Sequence, residues 1–309
     1  MKHPLVAAAL ATLALAGCGT AGSAGGSGSP EGGALDVTAA FYPLAYAVER
    51  VGGDRVTVSS LTRPGAEPHD VELTPKDVAT LGRSALVVYE KGFQPAVDDA
   101  VEQVDGANAL DVSTSVDLTL EAAHDGHDHG DEGAQEGMDP HFWLDPTRYA
   151  SAVKAIADRL ATADPGGATA YATNAQTFVA ELTALDAEFA TALRTCTTRE
   201  LVTGHAAFGY LADRYDLHQV GIAGISPDAE PNAAAMREVV AHVREAGVGT
   251  VYAETLGSTA LPQAIARETG ARVAVLDPIE GLSDASAGKN YLEVMRANLA
   301  TLVAGQGCS

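Results

Sequence analysis

Residues 34–61 read ALDVTAAFYPLAYAVERVGGDRVTVSSL. The outer pieces, ALDVTAAF and RVTVSSL, are apolar runs of strand length, whereas PLAYAVERVGG between them spaces its apolar residues along one face of a helix. Short buried strands alternating with amphipathic helices imply a parallel sheet covered by helices on both faces. The alternation continues through TPKDVATLG at 74–82 and SALVVYEKG at 84–92. Within it, Thr74-Pro75-Lys76-Asp77 reads as a helix start: threonine caps, proline suits the first turn and aspartate complements the positive helix end. A polar loop at 121–137 then interrupts the pattern.

The middle of the chain changes period. Tyr171, Ala175, Phe178, Leu182, Leu185, Phe189 and Leu193 recur three or four residues apart, which predicts one helix of roughly 25 residues, longer than the globular average. Gly166 and Gly167 precede it, and Thr195-Cys196-Thr197-Thr198 follow it. Beyond, strand-like ELVTGH, GTVYAE and ARVAVLDP alternate with helical FGYLADRYDL, NAAAMREVVAHVREAG, LPQAIARETG and a last helix near Tyr291 to Val303. The expected fold class is α/β, with two open parallel-sheet α/β domains joined by one long connecting helix. The expected boundaries are 35–165 for the first domain, 166–195 for the helix and 196–309 for the second domain. The apolar stripe alone is also compatible with a core helix of a single domain.

The amino terminus belongs to a different class. MKHPLVAAALATLALAGC, residues 1–18, combines a basic start with an apolar run too short to span a bilayer, the pattern of a secretory signal. Its end, Leu15-Ala16-Gly17-Cys18, resembles the lipobox of bacterial lipoproteins, which implies that Cys18 becomes the lipid-modified first residue; ordinary cleavage near Gly17 is the alternative. Residues 19–34 are rich in Gly and Ser and read as a flexible tether. Anchor and tether together imply an extracytoplasmic domain attached to the membrane by lipid. A formal charge of -22, from 41 acidic and 19 basic residues, argues against nucleic acid as partner and raises the local concentration of cations. With Cys18 lipidated, Cys196 and Cys308 remain as one possible pair, which in an oxidising setting reads as a disulfide.

Four residues stand at the ends of expected strands or in the loops after them, where open α/β sheets place ligands. They are His69 in EPHDVELTP, His141 in MDPHFWLDP, His205 in TGHAAFGY and Asp277 in VLDPIEGL. Three imidazoles and a carboxylate suit Zn²⁺ in tetrahedral geometry. Singly, each histidine reads equally as a surface or hydrogen-bonded residue, and Asp277 before Pro278 as a turn former. A separate segment, HDGHDHGDE at 124–132, gathers three histidines and four carboxylates.

These motifs closely resemble the metal-binding class of solute-binding proteins of bacterial ABC importers, lipoproteins that collect zinc or manganese for a membrane permease. The resemblance rests on FYPL at 41–44, PGAEPHDVELTP at 64–75, DPHFWLDP at 139–146, GHAAFGYLADRYDL at 204–217 and the long helix. It implies that His69 and His141 from the first domain face His205 and Asp277 from the second across a cleft, with small closure motions about a rigid helix. The third position is typically Glu in the manganese branch and His in the zinc branch; His205 therefore implies zinc, and manganese is the lesser expectation. Ala206 departs from the polar residue often found after that histidine, and the segment around Asp277 varies, so Glu67 or water stays open as the fourth ligand. Glu254 in VYAET is expected to orient a ligand imidazole. The resemblance also makes His124, His127 and His129 auxiliary ligands of a weaker feeder or zinc sensor, the alternative being a solvated loop.

The expected function is capture of Zn²⁺ and its delivery to an ABC permease by a monomer with no enzymatic activity. A zinc hydrolase is the competing class, since three histidines with an open position also activate water. Neither HExxH nor a clear Gly-x-Ser-x-Gly elbow supports it. An adhesin role is not distinguished by the sequence.

Overall fold

The computed structural model describes Met1 and residues 33–104, 106, 108–122, 137–228 and 231–309. Strands β1 (Leu35–Ala39), β2 (Val56–Ser60), β3 (Leu86–Tyr89) and β4 (Ala109–Asp111) form a parallel sheet in the order β2-β1-β3-β4. Helices α1 (Tyr42–Gly52), α2 (Pro75–Leu81) and α3 (Pro95–Gln103) make its crossovers, and α4 (Pro146–Ala163) follows. After α5 (Ala168–Ala192) the scheme repeats. Strands β5 (Glu200–Thr203), β6 (His218–Gly221), β7 (Thr250–Ala253) and β8 (Arg272–Val275) pair in parallel in the order β6-β5-β7-β8. Crossovers α6 (Gly209–Arg214), α7 (Ala233–Glu245) and α8 (Ala260–Thr269) lead to the closing helix α9 (Tyr291–Gln306). The α/β class with two parallel sheets is as expected. In both sheets the strand order reverses beside the first strand, and ligands of open α/β sheets bind at the carboxyl ends of strands at such reversals.

Local chemistry sets the elements. The expected start of α2 is a capping box: Thr74 Oγ1 accepts from Asp77 N at 3.3 Å, and Asp77 Oδ2 accepts from Thr74 N at 2.9 Å. The 25-residue helix α5 buries Tyr171, Ala175, Phe178, Leu182, Leu185 and Phe189. That face packs mainly on α4 and α1 and also reaches α9.

One continuous apolar core runs through both halves, from Val37 and Phe41 through Trp143, Tyr149 and Phe178 to Phe208, Tyr252 and Met295. A smaller cluster, including Val202, Val240, Val243 and Ile265, lies within the second half beneath α7 and α8. Each fully buried large side chain stabilises by about 1.5–3 kcal/mol relative to exposure, so the shared core resists separation of the two sheets. Cys196 and Cys308 form the expected disulfide across 112 residues. Closing a loop of this length contributes about 4–5 kcal/mol in the chain-entropy account. No helix among the described residues is long and apolar enough to cross a membrane.

Candidate metal centre

Each side chain of the centre is delivered by a loop at the carboxyl end of a strand or by the segment following it. His69 lies in the loop after β2, where its backbone N–H donates to Glu67 Oε1 at 3.2 Å. The same loop closes onto the second half through Gly65, whose N–H donates to Leu282 O at 3.0 Å from a left-handed backbone with φ of 76°. His141 precedes a short turn whose residues Phe142, Trp143 and Leu144 are fully buried and fix it. Asp139 Oδ1 accepts from the His141 backbone N–H at 2.9 Å and lies 2.8 Å from Nδ1 of the ring.

His205 follows β5, and Glu254 follows its neighbour β7. Glu254 accepts from the His205 backbone N–H at 2.7 Å and lies 2.6 Å from its Nδ1. Gly204 permits that approach, because a Cβ there would stand 2.5 Å from Glu254 Oε1. The fourth side chain, Glu280, comes from the turn after β8.

The four groups converge on a point. Nε2 atoms of His69, His141 and His205 stand 3.2, 3.1 and 3.2 Å from the same oxygen, Oε1 of Glu280. All four potential donor atoms lie within 4.8 Å of one another. Four donors held 2.0–2.1 Å from one ion are about 3.3 Å apart at tetrahedral angles. The arrangement therefore has the dimensions of a closed three-nitrogen, one-oxygen zinc site. His141 and His205 are fully buried and Glu280 nearly so; the His69 side chain, 9 % exposed, is the edge open to solvent.

Electrostatics follow from this packing. Burial holds His69 below its ordinary range despite the adjoining Glu280 carboxylate. Burial also opposes charge on His141 and His205, but carboxylates outweigh it: Asp139 and Glu280 raise His141, and Glu254 and Glu280 raise His205 well above normal. Glu280 is driven upward by burial, yet the three imidazoles win and hold it well below the usual carboxylate range. Glu67, half-buried and near Glu280, is pushed up to about 8. A dication held here would replace the protons that otherwise balance this negative surround.

Residues 37–305 match the family described as zinc-uptake complex component A, periplasmic, or ZnuA. The chain belongs to the ZnuA family. It is 35% identical over 308 residues to the zinc-binding lipoprotein AdcA of Streptococcus pneumoniae serotype 4, covering 97% of this chain and 60% of that one. The chain thus spans about 60% of that relative's length. Against the high-affinity zinc uptake system protein ZnuA of Bacillus subtilis, identity is 35% over 297 residues, covering 94% and 93%. Among solved structures, Zn(II)-bound AdcA from Streptococcus pneumoniae superposes with a TM-score of 0.73 at 32% identity, covering 89% of this chain and 58% of that one. The laminin-binding protein Lmb of Streptococcus agalactiae, described as bifunctional with adhesin and metal-transporting activity, gives 0.78 at 31%, covering 88% and 99%.

In this ZnuA-family chain the structure brings His69, His141 and His205 together with Glu280 and not with Asp277, so Glu280 stands in the place expected of Asp277. Asp277 is committed elsewhere: Oδ1 accepts from Ile279 N at 2.8 Å and Oδ2 from Ser286 Oγ at 2.9 Å. Glu67 is likewise outside the four, bound to the backbone of His69. Glu254 stands where a residue orienting a ligand imidazole was expected. Asp139 does the same for His141, a role that only the Asp-Pro-His spacing signals in the sequence. His124, His127, His129 and Cys18 lie outside the described residues.

Proposed function

We propose that this chain captures Zn²⁺ outside the cytoplasm between His69, His141, His205 and Glu280 and hands it to the permease of an ABC importer. The single observation that carries this reading is the convergence of three imidazole nitrogens on one carboxylate oxygen at 3.1–3.2 Å. Such a set satisfies Zn²⁺ without a vacant position for a reactive water, as suits a carrier rather than a hydrolase. Its nitrogen content favours Zn²⁺ over the harder Mn²⁺. Membership of the ZnuA family supports the same role and the permease as partner. Cys18 is the proposed point of lipid attachment, the protein acts as a monomer, and the loop at 124–132 collects zinc weakly for the fixed site.

Competition of the chain against a chromogenic chelator, with Zn²⁺ and then Mn²⁺, tests the proposal. One tight zinc site is expected, with little displacement by Mn²⁺. His205→Ala removes that tight site, whereas deletion of residues 124–132 spares it and removes only weaker binding. Equal losses from the two changes, or tight manganese binding, contradict the reading.

A further inference from the structure

Outside the signal segment, the His-rich loop and the interdomain centre, two of the nine histidines remain, His218 and His242. Both face one carboxylate. His218 Nδ1 lies 3.2 Å from Glu200 Oε1, and His242 Nε2 lies 2.9 Å from Glu200 Oε2. Among the described residues, every other carboxylate paired outside the interdomain centre has an arginine as its partner, such as Glu181 with Arg50 or Asp186 with Arg214. Here both partners are imidazoles, which unlike guanidinium can ligate a transition metal.

Regular structure fixes the three positions. Glu200 and His218 open β5 and β6 and are direct register partners. His242 lies in the last turn of α7, which is anchored by buried Val239, Val240 and Val243. The group therefore sits at the amino ends of its strands, at the opposite edge of the sheet from His205. Two donors on one zinc ion stand about 3.3 Å apart, so each histidine–glutamate pair already has nearly the spacing of a shared ion. The His218 side chain is 71 % exposed and the His242 side chain 36 %. The two rings meet different oxygens of Glu200, so an ion held by all three side chains requires the exposed His218 ring to turn toward His242.

We propose that Glu200, His218 and His242 form a second zinc site, with water filling the remaining coordination. It is weaker than the interdomain centre, because it has fewer protein donors, is open to solvent and must immobilise an exposed ring. Its chemistry suits a divalent ion of the zinc and copper group rather than Mg²⁺ or Ca²⁺, which take oxygen.

The test uses the full chain carrying His124→Asn, His127→Asn and His129→Asn, so that the His-rich segment contributes no imidazole. Zinc bound at equilibrium is counted by dialysis and elemental analysis. A tight and a weaker equivalent are expected, and His218→Ala and His242→Ala each remove the weaker one while the tight one persists. Absence of the weaker equivalent, or its survival unchanged in both variants, overturns the proposal. Since the tight equivalent is read in the same isotherm, a failure of the interdomain assignment is seen separately.

Discussion

Glu254 holds the far nitrogen of His205, and Asp139 holds that of His141, so each ring presents Nε2 to the centre from a fixed orientation. Carboxylates behind a ligating imidazole set its tautomer and raise its basicity. Glu254→Gln keeps the shape and removes the charge; zinc affinity is expected to fall about 10–100-fold, read by chelator competition at constant pH. An affinity equal to the parent chain would mean that backbone packing alone orients His205. The three histidines were readable from sequence because each stands in a distinctive local motif near an expected strand end. Glu280 was not, although it lies in the same VLDPIEGL segment as Asp277. Between the two acids the backbone turns through Ile279 with φ of 59°, a left-handed conformation that β-branched residues rarely adopt and that residue identity does not signal.

The turn between β8 and α9 is the element that sustains that conformation. A non-glycine residue held there costs about 1–3 kcal/mol and persists only where its surroundings over-determine it. Asp277 Oδ1 accepts from Ile279 N, while Trp143 Nε1, from the first half, donates to Pro278 O at 2.8 Å. Asn298 on α9 clamps both backbone groups of Asp277, accepting from its N–H at 2.9 Å and donating to its carbonyl at 2.7 Å. Asn298→Leu preserves much of the volume but leaves two buried backbone groups unpaired, a loss of at least about 2 kcal/mol. A lower melting temperature is expected together with weaker zinc binding, although Asn298 touches no ligand; melting and titration of the same preparation check both. If stability falls while affinity holds, the turn does not position Glu280. Periodicity could place β8 and the long α5, because strands and helices follow repeating patterns. It could not place this turn, whose shape is imposed by Trp143 and Asn298, distant in sequence.

Across the whole molecule, a single core joins the two sheets, and Tyr291 from the second half donates its hydroxyl to Trp143 O of the first at 2.5 Å. The structure thus favours a centre assembled before metal arrives, and the protons in it then become the counterweight to zinc. His141 and His205 have folded-state values raised above the unfolded value of about 6.5. Their contribution to metal-free stability is fully present below that pH and is lost as pH rises through their folded values. Glu280, depressed when folded, contributes above its unfolded value of about 4.3 and loses that contribution as pH falls through its folded one. The metal-free protein should therefore hold its centre best in mildly acidic solution. Zinc binding runs the other way, because it expels the imidazole protons and so strengthens as pH rises. Melting temperatures of zinc-loaded and metal-free protein should accordingly diverge between about pH 5.5 and about pH 8, across the ordinary histidine range. Titration calorimetry in buffers of different ionisation enthalpy should show proton release on zinc binding within that range. A constant gap in melting temperature, with no buffer-dependent heat, would mean that the histidines are already neutral before zinc arrives.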